Sequence, residues 1–367
     1  MLKWRYSRYE LRFRQPAVTS RSTMLNKKTY FVEVSDVDDP EWRGVGEVAL
    51  FEGLSAEDDD LFEQRMVEAL RRLSTDSDEV SRLLSPTCED VHLDSSVAFG
   101  VETALANRFY GGKFVTAASP FTQGKENIVI NGLIWMGGKE QMIERLKEKI
   151  EQGFKCIKVK IGGIDFDDEL ALLRAVRRAF GPETLELRLD CNGSLSRLPF
   201  KEAVKALRRL EKFKIHSVEQ PFAVADIEKT RHVCLAEDVP IALDEQLIGV
   251  TSQRDKYDML EYLCPSYIVV KPSLCGGLEQ ARRWIETAVR FGKGWWVTSA
   301  LESAVGLNAI AQWTASLNPS IPQGLGTGEL YLNDFASPLR RCGQYLSFMP
   351  SESEEPWQLD NLNWIDV

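Results

Sequence analysis

The chain has 367 residues, of which 44% are hydrophobic and 27% charged, with a formal net charge of −10. That is the composition of an ordinary globular protein with enough apolar material for a large core and a second module. The acidic balance argues against a nucleic-acid partner, whose phosphates need a basic face, but leaves small anionic substrates open, because a local site can oppose the global charge.

The N-terminal segment MLKWRYSRYELRF is basic and lacks the apolar block of a signal peptide. Its Trp4, Tyr6, Leu11 and Phe13 suggest an edge strand with a phase slip. No apolar run reaches about 18 residues, so no membrane span is expected. Cys88, Cys156, Cys191, Cys234, Cys264, Cys275 and Cys342 are odd in number and never spaced CxxC, which fits free thiols in a reducing cytoplasm.

Strand-like segments at Tyr30–Val34 and Gly44–Ala49 are followed by helical stretches over 58–73 and 95–110, the order of an α+β module. The segment 110–126, with Gly111, Gly112, Pro120 and Gly124, is the candidate linker. From about Ile128 the texture becomes strand, loop, helix, repeated. Apolar strand candidates begin near 129, 157, 185, 217, 241, 267, 295 and 324, with amphipathic stretches such as 139–152, 167–180 and 201–212 between them. Eight strand signals alternating with helices predict a TIM-type barrel. The rival, a doubly wound sheet, usually carries a GxGxxG after its first strand, and none occurs there. The fold class is therefore α/β: a capping domain over 1–125, completed by the tail 330–367, and a barrel over 126–329.

Lys160, Asp190, Glu219, Asp244 and Lys271 each fall at or near the C-terminal end of a separate apolar strand, 25 to 30 residues apart. One β/α unit has about that length, so all five are expected on the rim where barrel enzymes build their sites. Three carboxylates from consecutive strands are hard oxygen ligands suited to Mg²⁺, with Mn²⁺ as a substitute. In Cys156–Ile161 strand alternation turns Lys158 and Lys160 inward, with Lys160 nearer the mouth. Lys160 and Lys271 then face each other across the barrel as base and cation. Alternation likewise turns Arg188, Asp190 and Asn192 inward; Asn192 is placed beside the substrate and Arg188 one layer below, more in keeping with a structural role. The small residues of Thr298–Gly306 and Gln323–Gly326 suit an anionic substrate group. His92, His216 and His232 lie apart from this set, His216 at the start of a strand and away from the mouth.

The Lys-x-Lys of strand two, the Asp, Glu and Asp of strands three to five and the lysine of strand six resemble the muconate-lactonising subgroup of the enolase superfamily. The resemblance covers nearly the whole chain, including Gly44-Val-Gly-Glu47, and implies an N-terminal capping domain before a modified TIM barrel, (β/α)₇β. Leu187–Asn192, Val270–Gly277 and Ser299–Leu307 resemble the o-succinylbenzoate synthase family. That likeness implies a Mg²⁺-dependent dehydration (a lyase reaction) in menaquinone biosynthesis. Lys160 is then the acid/base, Lys271 the charge on the opposite ring face, and Asp190, Glu219 and Asp244 the metal ligands. Ser299, Leu301 and Gly324 match positions at the succinyl end, with Lys158 and Asn192 also in the substrate-binding set. The connection 108–127 is longer than this family leads one to expect, and a lid is expected near Ser20–Met24. N-acylamino acid racemase or dipeptide epimerase chemistry uses the same two lysines and stays open as the alternative, although Gly324–Gly328 lacks the Asp-x-Asp that marks the dipeptide enzymes. A non-catalytic metal-binding barrel should have lost a ligand or a lysine, and none is missing. Oligomeric state is left open.

Overall fold

The computed structural model describes residues 1–18, 23–39, 41–85, 92–135, 137–163, 165–236, 238–352, 357–359 and 361–367. Strands β1 (Leu2–Val18), β2 (Thr23–Asp36) and β3 (Gly44–Val48) form an antiparallel sheet, covered on one face by helices α1 (Phe62–Thr75), α2 (Ser77–Leu83) and α3 (Ser95–Phe109). Glycine is required where β3 lies on α3. A Cβ on Gly46 would sit 1.9 Å from the carbonyl oxygen of Gly100.

The phase slip of β1 is a change of covered face. Trp4 and Tyr6 pair with Val34 and Val32 and pack against α1 and α3, whereas Leu11 and Phe13 turn the other face toward Leu301 and Tyr331 at the barrel mouth. Pairing with β2 runs without a register break from Leu2 to Arg12, so no bulge is needed to make the switch.

The barrel alternates β5 (Gly132–Ile134), α4 (Lys139–Glu151), β6 (Cys156–Lys160), α5 (Phe166–Ala179), β7 (Glu186–Asp190), α6 (Phe200–Glu211), β8 (Ser217–Glu219), α7 (Ile227–Ala236), β9 (Ile241–Leu243), α8 (Gln253–Leu263), β10 (Tyr267–Val270), α9 (Gly277–Arg290), β11 (Gly294–Val297) and α10 (Ala304–Ser316). Strands β5 to β11 pair in chain order, all parallel. Parallel bridges Thr298↔Gly324 and Ile130↔Gln323 close the circle through an eighth segment, giving the (β/α)₇β barrel. Local signals agree with the elements. Helix α6 buries Ala203, Ala206, Leu207 and Leu210 on one stripe. Helix α5 is capped by Asp165, carries Asp167, Asp168 and Glu169 in its first turn, and ends on Arg177 and Arg178, the charge order its dipole favours.

The expected first barrel strand near 129 is two pieces. β4 (Ile128–Val129) pairs antiparallel with β13 (Tyr345–Phe348), itself in a hairpin with β12 (Leu339–Cys342), and only β5 enters the barrel. The tail after Leu330 also reaches the capping sheet, where β14 (Ile365–Asp366) pairs with β1. The long connection is pinned rather than loose: Gln312 of α10 accepts from the amides of Thr116 and Ala117, and Phe114 packs edge-on to Trp357. Six cysteines are free thiols; Cys88 lies outside the described residues. Among those residues no helix is long and apolar enough to cross a membrane.

Candidate active site

Parallel pairing sets the rim in register. Lys160 lies opposite Asp190, and Asp190 opposite Glu219. Asp244 and Lys271 each follow the last residue of their strand, β9 and β10. The five side chains converge. Lys158 Nζ lies 2.9 Å from Asp190 Oδ2 and 2.5 Å from Glu219 Oε1. Lys160 Nζ lies 3.2 Å from Asp190 Oδ2, donates to Asn192 Oδ1 at 2.6 Å, and sits 5.7 Å above the Trp135 ring. Lys271 Nζ lies 2.5 Å from Asp244 Oδ2.

Burial raises the cost of every charge here, and the neighbours decide each outcome. Burial alone pushes the Asp190 carboxyl up, but the ammoniums of Lys158 and Lys160 outweigh it and hold Asp190 below the usual range. Glu219, buried and beside the charge of Asp190, is pushed well up. For Lys158 and Lys271 burial disfavours the ammonium, yet the carboxylates around them (Asp190 and Glu219; Asp244 and Glu245) keep both above the ordinary lysine value.

Among the described residues no group of three or more His, Cys, Asp or Glu side chains is gathered for a metal ion; Lys158 bridges Asp190 and Glu219, and Lys271 pairs with Asp244. The donor set nevertheless fits a hard cation. Glu219 Oε2 and Asp244 Oδ1 are buried without a hydrogen-bond partner, a costly state that a bound cation would relieve.

A cavity of about 630 Å³ opens above this set, lined by Lys158, Lys160, Asp190, Asn192 and Lys271. Ser299, Leu301 and Gly324 line it as well, from the β11 and eighth-segment ends, while Glu219 and Asp244 are not part of the lining. Gly324 has a second reason to lack a side chain: a Cβ there would meet Thr298 Oγ1 at 2.4 Å, across the seam that closes the barrel. The cap contributes Met24, Lys27 and Phe51 to the wall; Ser20, at the start of the expected lid, lies outside the described residues. Arg188 is fully buried below the cavity, stacked 4.3 Å over Trp296 and bonded to Glu186 and to the carbonyl of Pro322, which is a structural placement. His216 shares that lower layer against Tyr267, with burial and Arg188 bringing its pKa down to about 4.

Sequence reasoning missed Trp135, Glu245 and Gln220. Trp135 follows β5 and obeys the same strand-end rule as the ladder, and Glu245, which accepts from Asn192 Nδ2 at 3.0 Å, directly follows Asp244. Gln220 follows Glu219 and accepts from the amides of Asp244 and Gln246, fixing one strand end against the next. Asn192, Gln220 and Leu301 hold φ of 42°, 38° and 62°, left-handed conformations that non-glycine residues adopt at some cost and that aim side chains at the rim.

The family described as "Enolase C-terminal domain-like" matches residues 141–341. The chain is 40% identical to o-succinylbenzoate synthase of Desulfotalea psychrophila across 93% of this chain and 97% of the relative. The chain belongs to the enolase superfamily. The crystal structure of MenC from Desulfotalea psychrophila superposes with a TM-score of 0.81, at 36% identity over 94% of this chain and 99% of that one. L-Ala-D/L-Glu epimerase of Bacillus subtilis is 31% identical over 48% of this chain and 47% of its own length. The substrate-liganded structure of the Bacillus subtilis enzyme gives a TM-score of 0.77 at 22% identity, over 94% of this chain and 95% of that one, and speaks to the fold alone.

Proposed function

We propose that this chain is an o-succinylbenzoate synthase. It dehydrates 2-succinyl-6-hydroxy-2,4-cyclohexadiene-1-carboxylate (SHCHC) to o-succinylbenzoate in menaquinone biosynthesis. The observation that carries this is the end-to-end likeness to the Desulfotalea psychrophila synthase, against an epimerase likeness that covers about half of the chain.

Asp190, Glu219 and Asp244 are the residues to hold a Mg²⁺ ion, whose charge, when bound, stabilises the substrate carboxylate as it takes up electrons. Lys160 Nζ takes the proton from the ring carbon next to that carboxylate, and the C–H electrons move into the carboxylate to give an enediolate. The Lys271 ammonium supplies positive charge on the other face and transfers no proton. Lys160, now protonated, gives its proton to the departing hydroxyl. The C–O bond breaks, water leaves and the ring becomes aromatic. Asn192 orients Lys160 through its 2.6 Å hydrogen bond, and Lys158, tied to Asp190 and Glu219, holds the carboxylates in place. The capping domain is assigned to 1–125 with the tail 330–367, and the barrel to 126–329; the reaction takes place in the cytoplasm.

The test is ultraviolet monitoring of SHCHC with purified protein and Mg²⁺. Aromatisation at a turnover rate supports the reading. Untouched SHCHC, together with rapid deuterium exchange at the α-carbon of N-succinyl amino acids, replaces it with the racemase on the same residues.

A further inference from the structure

The lysines of the catalytic cavity are not equally provided for. Lys158, Lys160 and Lys271 each lie within 3.2 Å of a carboxylate oxygen. Lys27, on β2 of the capping sheet, also lines the cavity, is only 6% exposed, and its Nζ is buried with no hydrogen-bond partner. An ammonium has three protons to donate, and leaving all three unused away from water is among the costlier arrangements a protein tolerates. Its position follows from the face switch of the sheet. Lys27 pairs with Leu11 on the face turned to the barrel, the same face as Thr29 and Phe31.

One buried carboxylate is within electrostatic reach of Lys27 but is no substitute for a partner. Glu302 feels the charge of Lys27, but its oxygens are already committed, accepting from Ser273 Oγ at 2.5 Å and from the amide of Ala300 at 2.7 Å. No ion pair within 4.0 Å joins the two. Leu11, the partner of Lys27 in the sheet, packs in one cluster with Leu301, the residue before Glu302, so Lys27 stands over the β11 end of the mouth.

We infer that Lys27 is an anion-binding residue of the cavity, whose ammonium swings on its flexible stem to take the distal carboxylate of the acyl chain. This deepens the proposed function and rests on it: the substrate there carries two carboxylates, one on the ring beside the reacting carbon and one at the end of the succinyl arm. The ring carboxylate belongs at the rim carboxylates and their cation. The second needs a cation of its own at the other end, and Lys27 is the buried lysine of the wall with no acceptor among the described residues. A long, single-point ammonium suits this task, since it reaches one end of a chain without fixing the ring.

The experiment compares two ligands on the Mg²⁺-loaded protein by calorimetry: o-succinylbenzoate, and 2-butyrylbenzoate, in which a methyl group replaces the distal carboxylate. Wild type should prefer the dicarboxylate by about tenfold to a hundredfold, the range for a hydrogen bond to a charged group. Lys27→Met should bring that ratio close to one by weakening the dicarboxylate alone, and Lys27→Arg should restore most of it. A merely structural lysine would weaken both ligands together and leave the ratio unchanged, which overturns the inference, as does a wild type without preference. If Lys27→Met fails to fold, the wild-type ratio and Lys27→Arg still decide. Failure of the proposed function reads differently: wild type leaves SHCHC untouched. Conversion of SHCHC with an unchanged ratio in Lys27→Met sinks this inference alone.

Discussion

Lys160 and Lys271 differ in their surroundings in a way that separates their tasks. Lys160 meets Asp190, an amide oxygen and an aromatic face, whereas Lys271 is bound at 2.5 Å to a buried carboxylate that helps keep its charge. Lys160→Ala should therefore lower kcat by about 10²–10⁴-fold, the usual worth of general acid–base catalysis. Lys271→Ala should be comparably damaging through lost charge, although no proton is transferred. Steady-state assays of both variants check this; near-wild-type turnover in Lys160→Ala would reject the proton route. Excess chelator should abolish activity and added Mg²⁺ or Mn²⁺ restore it, while Glu219→Gln should stay inactive with metal present. Of the residues involved, those that alternate along a strand were legible in the sequence, because a period of two sorts wall from core. Lys27 was not, because nothing local says that a polar strand position lies under a neighbouring domain.

Helix termini show how the capping domain grips the barrel. The N-terminus of α10 is held by Glu47 of β3, which accepts from the amides of Ser303 and Gly306 at 2.9 and 3.0 Å, and by Asp334, which accepts from Ala304 at 2.8 Å. The N-terminus of α9 is held by Glu102 of α3, which accepts from the amides of Leu278 and Glu279. Burial at this second contact pushes the Glu102 carboxyl up to about 8, against the pull of the amides, with Glu279 adding to the rise and Arg282 opposing it. The native state thus keeps a proton that the unfolded chain releases near its ordinary value of 4.5. Stability from this group is fully present below about pH 4.5 and is lost as pH rises toward and through about 8. Glu102→Gln should flatten that decline, measured as Tm against pH from 5 to 8 beside wild type; an unchanged slope would show that Glu102 does not carry it. Pairings such as β4 with β13 and β1 with β14 had no sequence signal. They are two-residue ladders joining segments more than 200 residues apart, too short for any periodicity.

At the scale of the whole molecule, the repeat of the β/α unit made the barrel readable: a strand end every 25 to 30 residues leaves little choice of architecture. The closure was less readable, since among the described residues the eighth segment pairs through just the bridges at Gln323 and Gly324. Binding at three strand ends should make the cation a stabiliser of the entire barrel. Mg²⁺ at about 100 times its Kd should add roughly 2.7 kcal/mol by mass action. Asp244→Asn should lose most of this gain, and a thermal shift with and without Mg²⁺ reads the difference.

Strand β1 works as a ruler between two cores. Its first half seats alternate residues under the helices of the cap, its second half seats the opposite set over the barrel, and one unbroken pairing with β2 fixes the count between them. One residue inserted between Tyr6 and Leu11 would leave the first set in place and turn Leu11 and Phe13 to solvent. A substitution there disturbs one contact, whereas a change of length disturbs the whole second set. Length variation in this part of the chain is therefore expected beyond Phe13, where the pairing shifts register before Ala17.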